Sequence, residues 1–73
     1  SEEFQKLKSK HELILKNYFN QDWDKAIDKM KNSKNLCNNL MDEYYEMMIS
    51  RIKEFKTLPP PRDWDGVYVA QTK

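Results

Sequence analysis

Two copies of an Asp-Trp-Asp tripeptide, Asp22-Trp23-Asp24 and Asp63-Trp64-Asp65, hold the residues whose type and spacing could do chemistry. Carboxylates two positions apart can close on a hard cation such as Mg²⁺, which takes oxygen ligands. Each copy also has a plainer use. Asp22 stands where a helix is expected to begin, so its carboxylate serves as an N-cap and favours the positive end of the helix dipole. Asp65 precedes Gly66, and the second copy reads as a turn carrying a packed indole. The residues flanking the two copies differ, so they are not an internal repeat. A Cys-His nucleophile would have to be made from His11 and Cys37, the only residues of their kinds, and no other feature argues for bringing them together. A lone cysteine cannot close an internal disulfide. Cys37 therefore reads as a small, half-buried apolar residue in a reducing compartment. No catalytic residue, metal or cofactor is expected of these residues.

The chain has 73 residues, of which 38% are apolar and 34% charged, with 13 Lys/Arg against 12 Asp/Glu and one glycine. That length sets one domain at most, and a chain of this size buries only about 60% of its surface on folding, which leaves little room for a carved pocket. Basic and acidic residues are interleaved, the pattern of solvated helix faces, and a formal charge of +1 supplies no field for a polyanion. The four Tyr, three Phe and two Trp could stack on nucleic-acid bases, but that mode also needs a positive groove, so no nucleic-acid partner is expected. The longest apolar runs, Leu13-Ile14-Leu15 and Met47-Met48-Ile49, fall far short of the ~20 residues that cross a bilayer. With no secretory signal visible at the N-terminus, the expected setting is the cytoplasm, without membrane insertion.

The elements that must position these residues are helices. Phe4, Leu7, Ile14 and Tyr18 recur at helical spacing, with His11 filling the gap, and predict a helix over 2–19 whose apolar side is widened by Leu13, Leu15 and Phe19. After Asn20-Gln21-Asp22, the series Trp23, Ala26, Ile27, Met30 and Ser33 predicts a second helix over 22–33. The short loop and the small Ala26 predict an antiparallel αα-hairpin packed through Leu13, Tyr18, Trp23, Ala26, Ile27 and Met30. Asparagine competes with helical hydrogen bonding, so Asn32 to Asn39 holds a turn. A long third helix over 36–57 follows on the stripe Leu36, Leu40, Tyr44, Met48, Ile52 and Phe55, with Met41, Tyr45, Met47 and Ile49 beside it. The expected fold is thus all-α: a helical module over 1–58, then a proline-rich extended tail over 59–73. Pro59-Pro60-Pro61 favours a stiff polyproline II spacer that holds the tail at a distance, and Val67-Tyr68-Val69 favours one short strand.

Two stretches carry a resemblance. Leu13, Tyr18, Gln21-Asp22-Trp23, Ala26-Ile27 and Met30 resemble a single tetratricopeptide-like hairpin, with Gln21 standing where that pattern usually has Gly. Tyr45, Arg51-Ile52, then Pro59-Pro60-Pro61-Arg62-Asp63-Trp64-Asp65-Gly66-Val67 and Lys73 look like the tail that follows the catalytic domain in bacterial class III adenylate/guanylate cyclases. In that family a hairpin like residues 22–30 precedes the tail. The resemblance implies a non-catalytic accessory module. The family's metal-binding aspartates and its transition-state Arg and Asn lie on a separate α/β domain, and no catalytic residue carries over to this sequence.

What carries over is a set of docking residues: Pro59, Pro60, Pro61, Trp64, Asp65, Gly66, Val67 and Tyr68. Their expected partner is a cyclase catalytic domain in the same chain or on a second subunit, a homodimer being one such assembly. The competing expectation is a free-standing tetratricopeptide-like adaptor that binds other proteins.

Overall fold

The computed structural model describes residues 1–67, and within them the secondary structure is helical: α1 (Glu2–Phe19), α2 (Trp23–Asn32) and α3 (Asp42–Thr57). The Ser1 hydroxyl accepts from the Phe4 amide at 3.2 Å, and Glu2 and Glu3 occupy the first turn, where a helix dipole favours negative charge. The strand expected at Val67-Tyr68-Val69 lies outside the described residues from Tyr68 onward.

The hairpin turn between α1 and α2 is a Schellman motif. The Gln21 amide donates to the Tyr18 carbonyl at 3.0 Å and the Asp22 amide to the Asn17 carbonyl at 2.8 Å, with Gln21 in the left-handed region at φ 61°. Glycine favours that position because it has no Cβ to crowd the following carbonyl, which explains why Gly is usual where this chain has Gln21. Asp22 departs from expectation. It holds the N-cap position of α2, but its carboxylate makes no capping hydrogen bond. Its backbone serves both helices instead: the amide closes α1, and the carbonyl accepts from the Ala26 amide at 3.0 Å. A ψ of 69° leaves it short of the extended conformation that aims a capping side chain at the first turn.

Ala26 and Met30 carry the buried face of α2, and Ser33 at its C-cap is buried too, its hydroxyl donating to the Lys29 carbonyl at 2.8 Å. The small Ala26 sits within the hairpin as the sequence implies. Leu13 does not: it is 51% exposed and lies beside Lys10, Lys29 and Asn32 at the rim of the α1–α2 contact.

The third helix begins at Asp42, not near residue 36. Asn35, Cys37, Asn38 and Asn39 all take positive φ, between 52° and 71°, and asparagine tolerates that region better than most residues. Carboxylates capture two of the amides this leaves free, Asn35 donating to Asp42 Oδ1 at 3.0 Å and Cys37 to Glu3 Oε2 at 2.8 Å. The later start also resets the buried face. Tyr45, Met48, Ile52 and Phe55 point inward, while Leu40 is 58% and Tyr44 43% exposed. Both had been assigned to the apolar stripe by a periodicity that runs unbroken through the asparagine loop.

The core is a single cluster of Leu7, Ile14 and Tyr18 from α1, Ala26 and Met30 from α2, and Tyr45, Met48, Ile52 and Phe55 from α3. His11 meets Tyr45 and Tyr18 meets Phe55, so α3 runs parallel to α1, and Cys37 in the loop before α3 meets Glu3. Long side chains, not close backbones, bridge those two helices; α2 packs directly on both. Leu58 leaves the helix with φ −132° and ψ 87°, as proline at the next position requires. The proline run does not hold the described tail at a distance. A turn closed by the Trp64 amide on the Pro61 carbonyl, at 3.1 Å, folds the chain back onto the helices.

Candidate docking site

One end of the bundle gathers five aromatic rings: Tyr18 and Phe19 at the end of α1, Trp23 at the start of α2, Phe55 near the end of α3, and Trp64 from the tail. Trp23 stacks on Phe55 at 5.3 Å with an interplanar angle of 11°. Trp64 meets this pair edge-on, its ring centre 5.1 Å from Phe55 and 5.8 Å from Trp23, and also lies 5.4 Å from Tyr18. Edge-to-face contact sets the positive rim of one ring against the negative face of another and contributes about 0.5–1.5 kcal/mol per pair beyond the area buried.

The backbone after the indole is set just as tightly. Trp64 Nε1 donates to the Val67 carbonyl at 2.8 Å, and the Val67 amide donates to Asp65 Oδ1 at 3.0 Å. Gly66 lies between them at φ 91°, against the Phe19 ring; a Cβ there would stand 2.5 Å from Phe19 Cε1. Both the conformation and the close approach call for glycine. Gln21 Nε2 adds a 3.4 Å bond to the Pro61 carbonyl, tying the hairpin turn to the proline run. An open groove of about 450 Å³ remains between that run and the end of α3, lined by Phe55, Leu58, the three prolines, Asp63, Trp64, Asp65 and Val67.

The two Asp-Trp-Asp copies thus come together through their indoles, a pairing the sequence reading missed. The available signal was positional. Phe19, Trp23 and Phe55 fall at one end of any hairpin followed by a parallel third helix, and the tail departs from that same end. Two of the four carboxylates have separate occupations: Asp24 pairs with Lys56, and Asp65 accepts within its own turn. Among the described residues no group of three or more His, Cys, Asp or Glu is placed to hold a metal ion. Of the expected docking residues, Trp64, Asp65, Gly66 and Val67 belong to this turn, Pro59 to Pro61 wall the groove, and Tyr68 lies outside the described residues. Of the hairpin residues, Tyr18, Ala26 and Met30 are buried, Trp23 and Ile27 half-buried.

A second polar contact lies midway along the bundle. His11 Nδ1 is 2.9 Å from the Tyr45 hydroxyl, with the rings stacked at 5.7 Å. Burial pushes His11 below its ordinary pKa, opposed by neighbouring Glu12, and the neutral ring satisfies the phenol in either tautomer. Burial likewise raises Tyr45, and it raises Tyr18, which the Arg51 guanidinium beside it opposes. Both tyrosines stay protonated as packing residues with one polar end.

No protein-family model matches the chain, and neither curated proteins nor solved structures give a match. No helix among the described residues is long and apolar enough to cross a membrane.

Proposed function

We propose that this chain is a non-catalytic C-terminal module of a bacterial class III nucleotide cyclase, working in the cytoplasm as a packing and assembly element for the catalytic domain of its own chain or of a second subunit. One observation carries the reading. The hairpin and the Asp-Trp-Asp-Gly-Val tail, the two stretches that resemble that family's C-terminal region, meet at the aromatic cluster, with Trp64 against Tyr18 and Trp23, and Gly66 against Phe19. A motif whose indole and glycine serve as packing parts suits an accessory role, because its most distinctive residues form shape and do not line a reaction centre. The test is Trp64→Ala in the intact parent, read by nucleotide cyclisation and by sedimentation velocity. Weakened assembly or altered cyclisation is expected; unchanged assembly, cyclisation and melting would remove the reading.

A second reading, a free-standing tetratricopeptide-like adaptor, draws on register. The bonds from Glu3 to Cys37 and from His11 to Tyr45 each join residues 34 positions apart, the length of one tetratricopeptide repeat, about 34 residues. On that reading α3 takes the place of the next repeat's first helix. A solenoid needs at least about three repeats to bury its faces, so the adaptor would have to self-associate. Light scattering across protein concentrations tests this second reading: a mass that stays that of the monomer at every concentration would remove the adaptor.

A further inference from the structure

We infer that the tail is a releasable clasp, in which Trp64 and Gly66 lock residues 62–67 across the ends of α1 and α3 and are withheld from any partner while it is shut. The helices supply the need. At this end α1 and α3 are joined by side chains and not by close backbone packing, so a strap touching Tyr18 and Phe19 on one side and Phe55 on the other holds them in place. The strap is well packed at one residue and largely solvent-exposed along the rest of its length. Its links to the helices run through the half-buried Trp64 indole among four rings, Gly66 against Phe19, and the 3.4 Å Gln21 bond to Pro61, while the remaining hydrogen bonds, Trp64 to Pro61 among them, are short-range. A single anchoring side chain and solvent-exposed hydrogen bonds make local opening cheaper than unfolding of the whole domain.

Opening would bare the faces of Tyr18, Trp23 and Phe55 and free the indole together. The same six residues therefore cannot both close the clasp and fill a groove on a partner. Any docking by the tail under the proposed function competes with closure, although the clasp itself needs no partner and its test uses none.

The experiment is amide hydrogen exchange on the 73-residue chain, comparing Gly66→Ala, Trp64→Ala and Trp64→Phe with the unaltered protein. Gly66→Ala should speed exchange of the amides at positions 64 and 67 by roughly tenfold or more, since alanine is strained at φ 91° and its methyl would push aside the exposed Phe19 ring. Trp64→Ala should do the same, with Trp64→Phe closer to the unaltered protein because a ring remains to meet Phe55. Amides of residues 7–14 should hold their rates. Unaltered exchange at positions 64 and 67 in both Gly66→Ala and Trp64→Ala would overturn the clasp. An equal acceleration in residues 7–14 would overturn it too, since Gly66 would then serve the whole fold.

Discussion

His11 shows how far one residue's chemistry is set by its neighbours. The ring stacks on Tyr45, meets Tyr44 edge-on and lies near Glu12, and its loss of solvent outweighs the carboxylate, leaving its pKa below 6.5. A histidine with a depressed folded pKa favours the native state above the unfolded value and loses that contribution as pH falls through the folded one. Stability to urea should therefore decline as pH drops below about 6.5, and His11→Asn, which keeps an acceptor near Tyr45 but cannot titrate, should flatten that decline between pH 7 and pH 5. A decline of the same size in His11→Asn would assign it to the carboxylates. Gln21 offers the complementary test on the backbone. At φ 61° its Cβ is strained, so Gln21→Gly should stabilise the chain by about 0.5–1 kcal/mol, the distant bond to Pro61 being too long to offset that. Calorimetry should show a higher melting temperature.

At the scale of elements, the helices were legible where periodicity alone decided the outcome, and illegible where a loop borrowed the same spacing. Glu2–Phe19 and Trp23–Asn32 fall within a residue of their expected spans, because each is bounded by a break in the pattern and followed by turn residues. The start of α3 was misplaced by six residues because Leu36 and Leu40 continue the helical spacing of Met48, Ile52 and Phe55 through a segment whose asparagines take positive φ. Propensity for the left-handed region is a property of single residues and leaves no trace in an apolar period. The Asp-Trp-Asp-Gly-Val segment was legible as a motif, but not its seat, since contact between position 64 and positions 18, 19, 23 and 55 follows from the relative direction of helices. The corrected phase makes a paired expectation. Tyr45→Ala should cost about 3–5 kcal/mol, and Tyr44→Ala one position away about 1 kcal/mol or less. Chemical denaturation of the two variants would reverse that order if the unbroken stripe were right.

For the whole molecule, the balance of forces follows from what is buried and what is paired. Among the described residues nine apolar side chains from all three helices form one core, and α3 reaches α1 through aromatic side chains at two levels, Tyr45 with His11 and Phe55 with Tyr18, while the loop before it is tied by the Cys37 amide to Glu3. The ion pairs Lys34 with Glu46 and Lys56 with Asp24 are solvent-facing, and the Asp24 side chain is 87% exposed. Exposed pairs of this kind are worth about 0–1 kcal/mol and are screened by salt. With a formal charge of +1 there is also little self-repulsion for salt to relieve. Stability should therefore rest on burial and respond weakly to ionic strength: raising NaCl from about 0.05 M to about 0.5 M should move the melting temperature by no more than about 3 °C. Lys56→Met should lie close to the unaltered protein at both salt concentrations. A loss of stability that salt causes in the unaltered chain but not in Lys56→Met would mean that charge, and not the aromatic cluster, holds the ends of α2 and α3 together.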